Sequence, residues 1–133
     1  MRIDHVGCVV SDIAAAANIL IEVHGYAAES ELIEVPSQKI QCQYVCHPEG
    51  LRIQLIKPTD PRSPVANALK RGGGLHHICY ECQDLIRTIE CSKKSGAVLV
   101  ADPFPGEGVG GRMAAFIMDP HLGLIEYVEG SRE

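Results

Sequence analysis

Ile3-Asp4-His5-Val6, with Asp12-Ile13 behind it, returns 72 positions later as Leu75-His76-His77-Ile78 with Asp84-Leu85. Arg52-Ile53-Gln54-Leu55 returns at the same offset as Leu124-Ile125-Glu126-Tyr127. One offset relating two separate pairs marks an internal duplication. The matched positions hold two histidines, a glutamine and a glutamate, each inside an apolar run of strand character. The duplication therefore sets four metal-capable side chains at equivalent points of two copies of one module.

Outward from these runs, each copy reads alike. Residues 2–10 alternate and carry β-branched side chains, which predicts a strand with His5 on the face of Ile3, Gly7 and Val9. Asp12 is an N-cap, Ile13, Ala16, Ala17, Leu20 and His24 recur at helical spacing, and Gly25 supplies a left-handed stop. In the second copy a strand over 75–82 leads to Asp84 as cap, then Leu85, Ile86 and Ile89, lysines 93 and 94 in the last turn, and Gly96. Three strands are predicted after each helix, at 27–34, 39–47 and 51–57, and at 98–104, 112–118 and 123–128. The fold class is α+β: two paired βαβββ modules forming a curved mixed β-sheet around a shared site. Module one covers about 1–58, the connection about 59–74 with a short helix over 64–71, and module two about 75–133, together one domain. Two copies are too few for a solenoid.

At 133 residues and 46% hydrophobic content the chain can bury a real core. A net charge of −5 argues against a nucleic-acid partner. No apolar run is long enough to span a bilayer, and the charged start, with Arg2, Asp4 and His5, lacks a secretory signal, so the expectation is a cytoplasmic protein with no membrane partner. In that compartment the six cysteines are expected to be reduced core residues. Between Arg52 and Arg71, the cations Arg52, Lys57, Arg62, Lys70 and Arg71 face one acid, Asp60, and read as a basic connection or as a patch for an anionic small molecule.

The chemistry rests on His5, Gln54, His77 and Glu126. A glutamate buried between Ile125 and Tyr127 costs several kcal/mol unless its charge is compensated, and Gln54 poses a milder form of the problem. A divalent cation (Co, Ni, Mn, Fe or Zn) resolves both, and four protein ligands on an octahedral ion leave two positions for substrate or water. A single strand histidine is more often a hydrogen-bonded core residue; the common offset is what favours a shared metal site. Other motifs carry less. Cys79 and Cys82 are three apart on a strand and point to opposite faces, and no second such pair exists for a zinc ribbon. The glycine-rich 106–111 lacks the Lys-Ser/Thr of a phosphate loop and reads as a mobile loop bordering the site. His76 points away from the face of His77, and His24, His47 and His121 lie at element ends facing solvent.

With these motifs in place, the chain resembles the vicinal oxygen chelate superfamily, which pairs βαβββ modules around one divalent metal. Ile3-Asp4-His5-Val6-Gly7, Arg52-Ile53-Gln54-Leu55-Ile56-Lys57-Pro58, Gly74-Leu75-His76-His77-Ile78 and Leu124-Ile125-Glu126-Tyr127 resemble the methylmalonyl-CoA epimerases more than glyoxalase I. The resemblance implies His5, Gln54, His77 and Glu126 as metal ligands and α-proton abstraction from an acyl-CoA-like thioester through an enediolate. Around Pro36-Ser37-Gln38-Lys39-Ile40 those epimerases carry a catalytic carboxylate where this chain has Ser37, a poor base without activation. Glu34, nearby, and Glu126 are the alternative bases. Arg112 resembles a basic residue of the family that could hold a substrate carboxylate, and Lys57 and Gln38 are further candidates for substrate binding.

Three readings follow. The first is a metal-dependent epimerase, or a glyoxalase I-like lyase. The second is a small-molecule binder like the bleomycin-resistance proteins, and the third an Fe(II) oxygenase with His5, His77 and Glu126 as facial triad. Curved sheets with uncovered edges also predict a homodimer.

Overall fold

Asp12 and Asp84, one offset apart, start two helices in the same manner. In the computed structural model, which describes residues 1–132, the Asp12 carboxylate accepts the backbone N–H of Ala15 at 3.0 Å, and the Asp84 carboxylate accepts that of Arg87 at 3.0 Å. Such a cap is worth about 1 kcal/mol. Two compact units result, one made of His5–His76, the other of Met1–Asp4 with His77 onward.

The first unit runs β1 (Arg2–Val9, whose first three residues fall in the other unit), α1 (Ile13–His24), β2 (Ala27–Ala28), β3 (Ile33–Val35), β4 (Ile40–Cys46), β5 (Arg52–Pro58) and α2 (Ala66–Lys70). Its sheet has the order β2-β4-β5-β1, with β3 also on β4. β1 lies parallel to β5, and β4 antiparallel to it. One face is covered by α1: Ile13 and Ala17 pack on Val45 and Leu55. At one end of the other face Val9, Cys42 and Ile56 pack with Val35 and Val65. Burying each such aliphatic side chain contributes about 1.5–3 kcal/mol.

The second unit repeats the plan with β6 (Gly74–Cys82), α3 (Leu85–Lys94), β7 (Val98–Leu99), β8 (Phe104–Pro105), β9 (Met113–Asp119) and β10 (Gly123–Glu129), in the order β6-β10-β9-β7 with β8 also on β9. β10 is parallel to β6 and antiparallel to β9. Leu85 and Ile89 of α3 pack with Cys82 and Ala115 on one face; Cys79, Val109, Ala114 and Val128 form the core of the other. Cys79 and Cys82 thus face opposite sides, and all six cysteines are free thiols. Among the described residues no helix is long and apolar enough to cross a membrane.

Three expectations are corrected. The strands expected at 27–34 and 98–104 are each two short strands with a break. In the first break, the Ser30 hydroxyl accepts the backbone N–H of Tyr44 at 3.0 Å and so takes the place of a strand carbonyl. His47 is half-buried against Tyr26, with ring centroids 5.0 Å apart, whereas His24 and His121 are exposed as expected. The glycine-rich stretch is no loose loop: Glu107–Val109 form a 3₁₀ turn and Val109 is buried in the core.

Gly73 shows how tightly the connection approaches β1. Its φ is +70°, and a Cβ there would stand 2.6 Å from the Val9 carbonyl oxygen. Gly25, with φ +78° and open space around it, carries only the conformational requirement. Gly25→Ala is expected to cost about 1 kcal/mol, and Gly73→Ala roughly 3 kcal/mol because the backbone must also move. Urea unfolding of the two variants checks the order.

Candidate functional site

In the first unit, strand register sets the site face. Gly7 of β1 lies opposite Gln54 of β5, and Gln54 lies opposite Tyr44 of β4. His5, two residues from Gly7, therefore shares a face with Gln54 and Tyr44, away from α1. His5 is fully buried and Gln54 is 6% exposed. The Tyr44 ring meets the His5 imidazole edge to face, centroids 5.4 Å apart and planes at 78°. Arg52, two residues from Gln54 on the same face, lays its guanidinium 4.0 Å from the Tyr44 ring centroid and donates from Nε to Glu29 at 2.6 Å.

The second unit reproduces this arrangement. Glu126 of β10 lies opposite Cys79 of β6 and opposite Phe116 of β9. His77, two residues before Cys79, falls on the same face, 5% exposed like Glu126. His77 Nε2 and Glu126 Oε1 are 3.1 Å apart. Donor atoms about 2.1 Å from a common ion and at right angles to each other lie about 3 Å apart, so this pair fits adjacent ligands of a divalent metal; it also fits a hydrogen bond. Phe116 meets His77 edge to face, centroids 5.2 Å apart and planes at 86°, and stacks on Phe104 at 6.3 Å. Burial, and after it the charge of Glu126, pushes the Cys79 thiol far up, so it stays protonated beside that carboxylate.

The remaining candidates fall elsewhere. Glu34 of β3 lies opposite Gln41 of β4, which lies opposite Lys57 of β5. Gln41 and Tyr44 are three apart, so Glu34 and Lys57 point to the face away from His5 and Gln54. Glu34 is exposed and accepts from the Gln41 amide at 2.6 Å. Ser37 is exposed in the 3₁₀ turn Pro36–Gln38, and the Gln38 carbonyl accepts the Ser63 hydroxyl at 3.0 Å. The basic patch is partly neutralised: Arg52 is paired with Glu29, and Arg62 grips Asp60, whose carboxyl its hydrogen bonds hold well below the ordinary range.

Arg112 sits among protein partners. Its Nε donates to the Val109 carbonyl at 2.9 Å, Nη1 to the Gly130 carbonyl at 3.2 Å, and Nη2 to Asp4 at 3.0 Å, with Glu81 at 3.5 Å from Nη1. These bonds tie the glycine-rich stretch to both chain ends of the unit. Residue-by-residue reading missed Asp4, Tyr44, Cys79 and Phe116. Tyr44 and Phe116 are 72 positions apart, so extending the offset beyond the polar pairs would have found them.

Residues 4–116 match the glyoxalase/bleomycin resistance protein/dioxygenase superfamily. The chain is 30% identical over 118 residues to the ethylmalonyl-CoA/methylmalonyl-CoA epimerase of Cereibacter sphaeroides, covering 87% of each. It superposes on the methylmalonyl-CoA epimerase of Mycobacterium tuberculosis with a TM-score of 0.84 at 27% identity, over 98% of this chain and 88% of that one. The same fold occurs, at 24% identity and a TM-score of 0.82 over 98% of both chains, in the Streptomyces coelicolor methylmalonyl-CoA epimerase in complex with 2-nitronate-propionyl-CoA.

Proposed function

The chain belongs to the glyoxalase/bleomycin resistance protein/dioxygenase superfamily, and within it we propose an epimerase-like enzyme that removes and returns the α-proton of a methylmalonyl-CoA-like acyl thioester. The observation that carries this reading is the buried His77–Glu126 pair, 3.1 Å apart, on a strand face whose counterpart in the first unit holds His5 and Gln54. Its relatives named as methylmalonyl-CoA epimerases supply the substrate class.

A divalent ion such as Co, Ni, Mn or Zn, held by His5, Gln54, His77 and Glu126, would supply Lewis-acid stabilisation of the negative charge that develops on the thioester oxygen as the α-proton leaves. The chain's own residues do the rest. Burial excludes water around the two histidines and strengthens every charge interaction there. The Cys79 thiol, kept protonated chiefly by burial, stays beside Glu126 as a hydrogen-bond donor. Glu126 is the candidate base on the histidine face, because Glu34 is turned away from it. A single carboxylate base exchanges the α-proton with solvent from one side more readily than it inverts the centre.

Proton NMR of methylmalonyl-CoA in D₂O with Co-loaded protein is expected to show α-proton loss faster than inversion. No exchange above the protein-free rate would exclude the enzyme reading. Exposed Ser37, at the position where the similar epimerases carry a carboxylate, favours the second reading, a thioester-binding protein without turnover; saturable binding without exchange is its signature.

A further inference from the structure

The two candidate ligand histidines are held by aromatic rings in one geometry, reached with different residues. Tyr44 stands against His5 at 78° and Phe116 against His77 at 86°, with centroids 5.4 and 5.2 Å apart. Both aromatics sit on the middle antiparallel strand of their unit, directly opposite the oxygen-bearing residue, Gln54 or Glu126. Each packs against a second group, and that group differs. Tyr44 carries the Arg52 guanidinium 4.0 Å from its ring centroid, itself tied to Glu29. Phe116 carries the Phe104 ring, stacked at 13°. Common descent of the halves explains the shared position. It does not explain why unlike supports hold the rings at nearly the same angle.

We infer that Tyr44 and Phe116 are positioning residues that fix the ring planes of His5 and His77 and so set the direction in which each imidazole presents its donor nitrogen; the inference rests on the metal reading above. The physical reason lies in the side-chain torsions. The second torsion of histidine joins an sp³ to an sp² carbon and has a broad, weak profile, so the ring turns unless its neighbours prevent it. Turning carries the nitrogen lone pair away from any fixed point. A flat ring set edge-on across the imidazole prevents the turn at small cost, since edge-to-face aromatic pairs are favoured over a face-to-face sandwich. A flexible aliphatic side chain of similar volume would fill the space and hold the plane less firmly. Arg52 thereby acquires a function other than binding an anion: 10% exposed and paired with Glu29, it stiffens the ring that orients His5.

The test is cobalt(II) titration of the full chain, read by visible absorption and equilibrium dialysis, with metal-free thermal melts to confirm folding. Tyr44→Phe and Phe116→Tyr keep the plane and should bind within about threefold of the parent. Tyr44→Leu and Phe116→Leu lose it and should bind at least about tenfold more weakly, the usual scale for removing a residue that orients a metal ligand, with altered d–d bands. If either leucine variant fails to fold, Tyr44→Met or Phe116→Met takes its place, keeping volume without planarity. Parent-like affinity and spectra in the flexible variants would overturn the inference and leave the metal site standing. A parent protein that takes up no cobalt would overturn both.

Discussion

Glu126→Ala is expected to lose bound metal and the thermal response to metal together. Of the four candidate ligands Glu126 alone carries a negative charge, and its Oε1 lies 3.1 Å from His77 Nε2, so the substitution removes the donor that most favours a cation. A parent protein with metal at about 100 times its Kd gains about 2.7 kcal/mol, roughly 10 °C in Tm for a domain of this size. Near-zero stoichiometry and no Tm rise are expected of the variant. The metal-free proteins should differ far less, because the alanine also removes the cost of burying a carboxylate at 5% exposure. Metal analysis after dialysis, paired with melts with and without added Co or Mn, separates these effects. One retained ion per chain in Glu126→Ala would exclude Glu126 as a ligand.

How much of this was legible in the sequence follows from which interactions are local. The 72-residue offset read from His5 and His77 extends to the two N-caps and to the left-handed residues that end the 3₁₀ turn in one unit and follow it in the other, Lys39 at φ 54° and Gly111 at φ 80°. Helix starts depend on a side chain and a backbone N–H three residues on, so Asp12 and Asp84 were readable directly. The alternation that turned His5 and His77 inward was equally local.

What escaped depends on partners far along the chain. Nothing within 27–34 shows that Ser30 will receive the N–H of Tyr44 and interrupt the strand. Glu34 and Lys57 seemed available because their faces are decided by pairing with β4, and a shift of one residue in that register would have turned both to the other side. The glycine-rich 106–111 has the composition of a mobile loop, yet Val109 is 8% exposed and its carbonyl is bound by Arg112. Composition reports conformational freedom of the free chain, and packing removes it here. The partner of Arg112, Asp4, stands 108 positions away, beyond the reach of any motif.

That long-range pair yields the largest stability effect expected of a residue away from the candidate ligands. The Asp4 side chain has no exposure, Arg112 reaches it at 3.0 Å, and Arg132 stands at 3.5 Å. Removing one partner of a buried ion pair strands the other charge, which typically costs 3–5 kcal/mol. Arg112→Met should approach the upper part of about that range, since the bonds to the Val109 and Gly130 carbonyls go with it. Asp4→Asn keeps the shape, lessens the charge left behind, and should cost less. If the pair acts as a unit, the double variant should be more stable than the sum of the two losses implies, with a coupling of about 2 kcal/mol in a urea-unfolding cycle. The same cycle separates the two roles of Arg112. Losing a substrate clamp raises KM and leaves the unfolding midpoint unchanged. Losing a strut between the chain ends of the unit and its glycine-rich turn lowers the midpoint, and Asp4→Asn should then lower it too, although the Asp4 side chain is fully buried. Additive losses, or an Arg112→Met variant as stable as the parent with weakened substrate binding, would restore the clamp.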